Sequence, residues 1–334
     1  MNCGYIDPQP PKPCPIRTGP KCLRTRYDAL VVGTGPAGSV LAYRLARAGL
    51  NVGVLERGRA QQTGTFPESP GELLSQAQLW RHGRRVGPAD GLFDLRVFDD
   101  LMVLTGCGVG GTSLINASVS VVPDESVMGD RRWPTAIRED PEWPHDFDRV
   151  GSMVGTTPLP DGRRVDKLTA LEAMAEAEEV GGVVQRAPLN VAFEDGFNST
   201  GEYMTACNGC GNCMTGCNVG AKQTYDRNYL YGARRLGASV FARCSVQRVE
   251  ATAHGWAVVV ADTMDPSVQR RVEADQVLLA AGALGSTEIL LRSRAVGLDV
   301  SPMLGQRFSG NGDLIAWGFD TDAHVGSVGV PGDS

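Results

Sequence analysis

The sequence predicts an α/β fold: a parallel sheet of the nucleotide-binding kind, with a second segment of different composition set into it. Three observations carry this. An apolar run leads into a glycine-rich turn and a helix at 27–48, a second glycine-rich stretch occupies 105–116, and the strand–glycine–helix order returns at 277–294. In the first unit, residues 29–32 form a short apolar run, β-branched at its end, as a fully buried parallel strand requires. Gly33, Gly35 and Gly38 follow as G-x-G-x-x-G, with Pro36 and Ala37 inside the motif. The first glycine permits the tight turn, the second lets a pyrophosphate reach the backbone, and the third lets the helix pack close to the strand.

The helix is expected over 37–48, with Val40, Leu41 and Leu45 on one face and Gly49 as its stop. Residues 51–55 read as the next strand. Glu56 stands at its end, followed by Arg57, where a carboxylate accepts hydrogen bonds from the ribose of an adenine dinucleotide. The motif alone fits a glycine-rich surface turn equally well. Strand, helix, second strand and acidic residue in register make it a Rossmann-like dinucleotide site.

After Glu56 the pattern becomes irregular. Residues 58–88 mix Gly, Pro, Gln and Arg, with a helix expected near 71–80, and the basic run at 81–85 reads as a solvated loop. In the stretch 105–116, Gly106, Gly108, Gly110 and Gly111 leave the backbone open to a flat or anionic ligand, and Thr112, Ser113 and Asn116 can add hydrogen bonds. Residues 118–221 differ in character. Trp133, Trp143 and His145 sit among prolines and charges, a helix is expected over 164–180 and a strand over 187–193. With no nucleotide signal, this segment is assigned to a substrate or cap domain, and its tryptophans read as core more readily than as pocket.

Cys207, Cys210, Cys213 and Cys217 form a C-x2-C-x2-C-x3-C run interleaved with glycines. The spacing equals that of bacterial ferredoxin loops, where thiolates bind an iron–sulfur cluster. Asn218 replaces the usual proline, and the fourth cysteine of such a run commonly serves a second cluster. Zinc sites usually pair two knuckles across a longer loop. Iron–sulfur, zinc and idle or packed thiols therefore all stay open here.

From residue 221 the pattern is regular again, with a helix over 225–236 and strands over 239–242, 246–252, 256–261 and 270–273. A buried strand at 277–281 runs into Gly282, Ala283 and a helix to about residue 294, which aims backbone amides at phosphate or ribityl oxygens. The loop 305–313, containing Asn311, is again rich in glycine.

Charge bounds the partners: 32 basic against 38 acidic residues give a net charge of −6, which argues against nucleic acid or an anionic membrane surface. No apolar run reaches the length of a transmembrane segment. Residues 1–26 carry six prolines and no signal-peptide core, and read as a disordered leader with free thiols at Cys3, Cys14 and Cys22. A cytoplasmic location is the expectation.

The segments 31–57, 106–116, 220–224 with 228–230, 280–291 and 305–313 together resemble the glucose–methanol–choline (GMC) family of flavin oxidoreductases, in its cholesterol oxidase-like branch. The resemblance implies an FAD-binding domain assembled from 27–59, 101–117 and 221–320. Segments 60–100 and 118–220 would be inserted as an α+β substrate domain, and 321–334 would form an incomplete tail. It places Gly33, Gly35 and Gly38 under the pyrophosphate and Glu56 on the adenosine ribose. Gly110 and Asn116 with their neighbours would lie along the flavin, the backbone of Val246 on adenine, and Gly282 and Ala283 in the second family signature. It implies an alcohol substrate, hydride transfer to flavin N5, and reoxidation by oxygen or another electron acceptor.

Family members carry a catalytic His, with a partner His or Asn, nearer the C-terminus than this chain extends. The catalytic residues are thus expected beyond residue 334, and the C-terminal part is expected to be missing. His82, His145, His254 and His324 read as turn or surface residues. Two other functions remain: a flavin/iron–sulfur dehydrogenase that passes electrons to a partner protein, and a non-catalytic FAD-binding fragment.

Overall fold

The computed structural model describes residues 12–163, 165–176 and 184–311. These fall into two compact units. One comprises the residues up to Ala60, Ser75–Thr112 and Tyr225–Phe308; the other comprises Gln61–Leu74, Ser113–Thr224 and the residues from Ser309. Residues 75–100, expected in the substrate segment, fall in the first unit.

The first unit is a mixed α/β body. Its strands are β1 (Arg17–Thr18), β2 (Arg26–Val32), β3 (Val52–Leu55), β4 (Ala77–Arg81), β5 (Arg84–Val86), β6 (Phe93–Val97), β7 (Met102–Gly106), β8 (Ser239–Ala242), β9 (Cys244–Thr252), β10 (Gly255–Asp262) and β11 (Gln269–Leu279). Its helices are α1 (Pro36–Arg47), α2 (Tyr229–Arg235) and α3 (Gly282–Arg294). A seven-stranded sheet runs in the order β1-β8-β3-β2-β11-β10-β9, and a four-stranded sheet in the order β5-β4-β6-β7.

The β2 strand is central because its residues are apolar towards both faces. Leu30 and Val32 enter a core with Leu55, Phe241 and Val258, and Ile289 of α3 closes that side. Val31 enters the opposite core with Val54, Ala42, Ala46, Leu230 and Ala233, which brings α1 and α2 onto the other face. The side chains of α1 that are fully buried are small, Gly38, Ser39, Ala42 and Ala46, while Leu41 and Leu45 are only partly buried. The face expected from Val40, Leu41 and Leu45 is thus rotated, because small residues let the helix axis approach the sheet.

Four other expectations are corrected. Residues 71–80 do not form one helix: a helix covers Pro70–Ser75, and β4 begins at Ala77, paired in parallel with β6. The strands expected at 270–273 and 277–281 are one strand, β11, antiparallel to β10 in its first half and parallel to β2 in its second. The leader is ordered from residue 12 as far as it is described. There β1 pairs with β8, and Pro20 and Leu23 are buried, because backbone hydrogen bonds to a sheet edge need no apolar pattern. The strand expected at 187–193 reduces to single bridges, Leu189 with Val119 and Thr157, and Val191 with Lys222; Pro188 has no N–H to extend a ladder.

In the second unit the helices Trp143–Met153 and Asp166–Glu176 accompany a two-stranded hairpin, Gly196–Phe197 with Tyr203–Met204. Trp133 is 45% exposed, and Trp143, stacked on Phe147 at 5.9 Å, is only half-buried, so neither is a fully buried core residue. Residue 164 and residues 177–180 of the helix expected there, Cys3, His324 and the tail 321–334 lie outside the described residues. Among the described residues no helix is long and apolar enough to cross a membrane.

Candidate cofactor-binding site

The turn from β2 into α1 is built as the glycine motif demands. Gly33 has a φ of 100°, and a Cβ there would lie 2.4 Å from the Ala280 carbonyl oxygen. A Cβ on Gly38 would lie 2.0 Å from the Gly33 carbonyl oxygen, so these two glycines are demanded by packing. Gly35 is different: nothing lies within 4 Å of the Cβ position, which leaves the backbone approachable. Gly35 is the N-cap of α1, with Pro36 first in the helix; no side chain caps this end and no acidic residue occupies the first turn. Its unshared N–H groups and the positive end of the helix dipole suit a phosphate. The same holds at α3, where Gly282 and Ala283 open the helix with no side-chain cap and no acidic residue in the first turn.

Glu56 lies at the end of β3, 7% exposed. Its Oε2 accepts from the Thr34 N–H at 3.1 Å and from Thr34 Oγ1 at 2.6 Å, and Oε1 accepts from the Gly58 N–H at 2.8 Å. A carboxylate has about four lone-pair directions, so a ribose hydroxyl can still be accepted beside these three bonds. Thr34 is the residue that sequence reasoning missed. Its hydroxyl also accepts from the Gly110 N–H at 3.1 Å, which ties the motif turn, Glu56 and the second glycine stretch into one cradle. Only its position inside G-x-G hinted at this, and nothing in its type distinguishes it there.

Gly111 packs so closely that a Cβ would lie 2.6 Å from Gly35 Cα, and Thr112 Oγ1 accepts from the Gly106 N–H at 3.1 Å. Gly106, Gly110, Gly111 and Thr112 are therefore brought to the motif turn. Cys107, beside them, is 2% exposed, and burial pushes its thiol up to about 12 despite the neighbouring Arg57 guanidinium.

The other expected residues are placed differently. Arg57 directs its guanidinium to the buried Asp94 at 2.7 Å and to Gln78 at 3.1 Å, which anchors the end of β3 to the four-stranded sheet. Val246 is buried next to a bulge in the edge strand β9, and its carbonyl accepts from Arg292 at 3.2 Å. Asn116 and Asn311 belong to the second unit and are exposed. Asn116 Oδ1 accepts from the Ser118 N–H at 3.3 Å.

His82 sits in the β4–β5 turn with a φ of 48°, His254 in the β9–β10 turn, and His145 in the first turn of the helix Trp143–Met153.

Within the second unit, Cys207, Cys210, Cys213 and Cys217 all line one pocket. Burial raises the Cys213 thiol, Lys222 opposes this, and the other three cysteines add to it. Among the described residues no three His, Cys, Asp or Glu side chains are set to hold a metal ion, so neither the zinc nor the iron–sulfur reading is shown by this geometry.

The donor set of the first unit fits an adenine dinucleotide: uncapped helix N-termini, an open Gly35 and a buried carboxylate. Residues 27–310 match the model of the GMC oxidoreductase family. The chain is 30% identical over 326 residues to a cholesterol oxidase of Acinetobacter baumannii, covering 90% of this chain and 57% of the relative. It is 32% identical over 291 residues to a cholesterol oxidase of Mycobacterium tuberculosis, covering 82% and 49%. A long-chain-alcohol oxidase of Arabidopsis thaliana is 27% identical over 341 residues, covering 93% and 40%. A crystal structure of pyridoxine 4-oxidase from Mesorbium loti aligns with a TM-score of 0.47 at 18% identity, covering 80% of this chain and 51% of that one. The chain spans about half the length of the curated relatives it matches. By the extent of the family match, this chain belongs to the GMC oxidoreductases.

Proposed function

We propose that this chain supplies the FAD-binding part of an oxidoreductase acting on the CH–OH group of an alcohol, with a sterol or another hydrophobic alcohol as substrate. One observation carries the reading: the uncapped N-terminus of α1, with Gly35 open to approach, stands in one hydrogen-bonded cradle with the buried Glu56. Gly33, Gly35, Gly38 and the first turn of α1 would hold the pyrophosphate, and Glu56 the adenosine ribose. The backbone of Val246 would meet adenine. Gly110, Gly111, Thr112 and Asn116 would lie along the flavin, with Gly282, Ala283 and Asn311 completing the site. FAD held there would supply a hydride acceptor at flavin N5, with oxygen or another electron acceptor as the final oxidant.

The residues of this chain bind and orient. The helix N-termini balance the phosphate charge, and Thr34 holds Glu56 so that its remaining acceptor direction is fixed. The second unit is read as an inserted α+β substrate domain, with 118–206 contributing to the alcohol pocket. Proton abstraction from the alcohol calls for a positioned base. His82 and His254 in hairpin turns and His145 on a helix surface do not supply one, so the base is assigned outside the described residues.

The test is to purify the chain, denature it and identify what it releases, then follow flavin absorbance under cholesterol and under short- and long-chain alcohols. FAD in the supernatant is expected, and no bleaching of this chain by any of these alcohols, because the base for proton abstraction is assigned outside the described residues. A colourless protein that takes up NAD and no FAD overturns the reading. Bleaching by an alcohol that is abolished by changing His82, His145 or His254 would overturn the placing of the base. A flavin/iron–sulfur dehydrogenase feeding a partner protein is favoured only by the shared cysteine pocket.

A further inference from the structure

We propose that the pocket formed by Cys207, Cys210, Cys213 and Cys217 is an iron–sulfur site that binds one [4Fe–4S] cluster through all four thiolates, with Lys222 as its buried counter-charge. The sequence left one difficulty: in ferredoxin-type runs of this spacing the fourth cysteine commonly serves another cluster. Here all four, Cys217 included, line the same pocket. The loop bends around that pocket at Gly209, Gly211 and Gly216, whose φ values of 81°, 74° and 116° disfavour any side chain, with a single short turn at Asn212–Met214 between them.

A cluster does not require the single-ion geometry that is absent among the described residues. Thiolates around one ion must converge on a point, whereas thiolates around a cluster stand apart, with iron and sulfide filling the space between them.

Two further features fit an anionic, sulfur-rich occupant. The Gly209 N–H donates to Cys207 Sγ at 3.4 Å, the kind of N–H···S contact that stabilises thiolate charge. Lys222 is 3% exposed, and its ammonium donates to the carbonyls of Leu114 at 3.1 Å, Asn116 at 2.7 Å and Cys213 at 2.8 Å. It is held rigidly on the pocket wall, where its charge opposes that of four thiolates. Loading is a ligand exchange: each thiol loses its proton as its sulfur bonds one iron of a preassembled core and displaces that iron's previous ligand. No electron is transferred in that step.

The site stands independently of the flavin reading, and the experiment keeps the two apart. The full chain is prepared anaerobically, offered a synthetic [4Fe–4S] core with exchangeable thiolate ligands, and assayed for iron, acid-labile sulfide and FAD separately. About four irons and four sulfides per chain are expected, with visible absorbance that bleaches under dithionite. Cys210→Ser is the informative variant because Cys210 is exposed and the fold does not rest on it. It should lose most of the iron and sulfide while keeping its FAD and its melting temperature. Cys22→Ser, an exposed cysteine of the first unit, should lose neither. The proposal falls if the wild-type chain takes up no sulfide, if it binds zinc alone, or if the two variants lose iron equally.

Discussion

Thr34 shows how much one small hydroxyl can organise. It is fully buried, donates to Glu56 Oε2 at 2.6 Å, and accepts from Gly110. Valine keeps its volume and removes both bonds, which leaves a buried carboxylate short of a donor. Thr34→Val should therefore cost about 1.5–3 kcal/mol in chemical denaturation, and the variant should bind FAD more weakly. Thr34→Ser should retain most of both, and a loss as large as that of valine would show that the methyl group, not the hydroxyl, is what matters. Arg57 shows the converse. Beside the motif acid it looks like a cofactor residue, yet its guanidinium is held by Asp94 and Gln78.

At the scale of elements, the feature with consequences is the uncapped first turn of α1. Ala37 is exposed in that turn, so a side chain can be added there without disturbing the packing. An aspartate at this position interacts favourably with the helix dipole, by about 0.3–1 kcal/mol, but places a negative charge beside the phosphates. Ala37→Asp should raise the melting temperature of the FAD-free chain and weaken FAD binding about tenfold or more. Fluorescence titration and thermal unfolding read the two effects separately. If affinity were unchanged while stability rose, the pyrophosphate would not sit at this helix end. Elements also show where local pattern misleads: 77–81 alternates too weakly to declare itself a strand, and its pairing with Phe93–Val97 decides the matter.

For the whole molecule, two buried thiols set the response to alkali. Cys107 and Cys244 are 2% and 1% exposed, and burial pushes each up to about 12 from the ordinary 9.0. Burial also raises Tyr27. A raised thiol pKa means that the folded chain keeps protons the unfolded chain releases. Stability is therefore unaffected below about pH 9 and falls as pH rises from there through about 12, by at most about 1.4 kcal/mol per pH unit for each thiol. Urea midpoints measured across that window should decline, and Cys107→Ala should flatten the decline. An identical slope in the variant would mean that Cys107 ionises freely in the folded chain.

The strand–glycine–helix pattern of the first unit was legible because its signals are local. A β-branched run, glycines at fixed offsets and an acid at the next strand end each act within a few residues of one another, and Gly33 and Gly38 stand where packing leaves no room for a side chain, with Glu56 bonded to the Thr34 N–H. The cysteine spacing was equally plain. What the chain could not declare depends on partners distant in sequence. Arg17–Thr18 becomes a strand only because β8 offers its edge, and the single strand Gln269–Leu279 joins two patterns because its halves face different neighbours. Thr34 becomes a hub only when Gly110 arrives, 76 residues on. Likewise, spacing names four thiols, but only folding decides whether they share one pocket, since convergence depends on glycine φ angles and on a lysine anchored to the carbonyls of Leu114 and Asn116. Local sterics and periodicity can be read along a chain, whereas hydrogen bonds and burial between distant segments exist only once the chain has closed on itself.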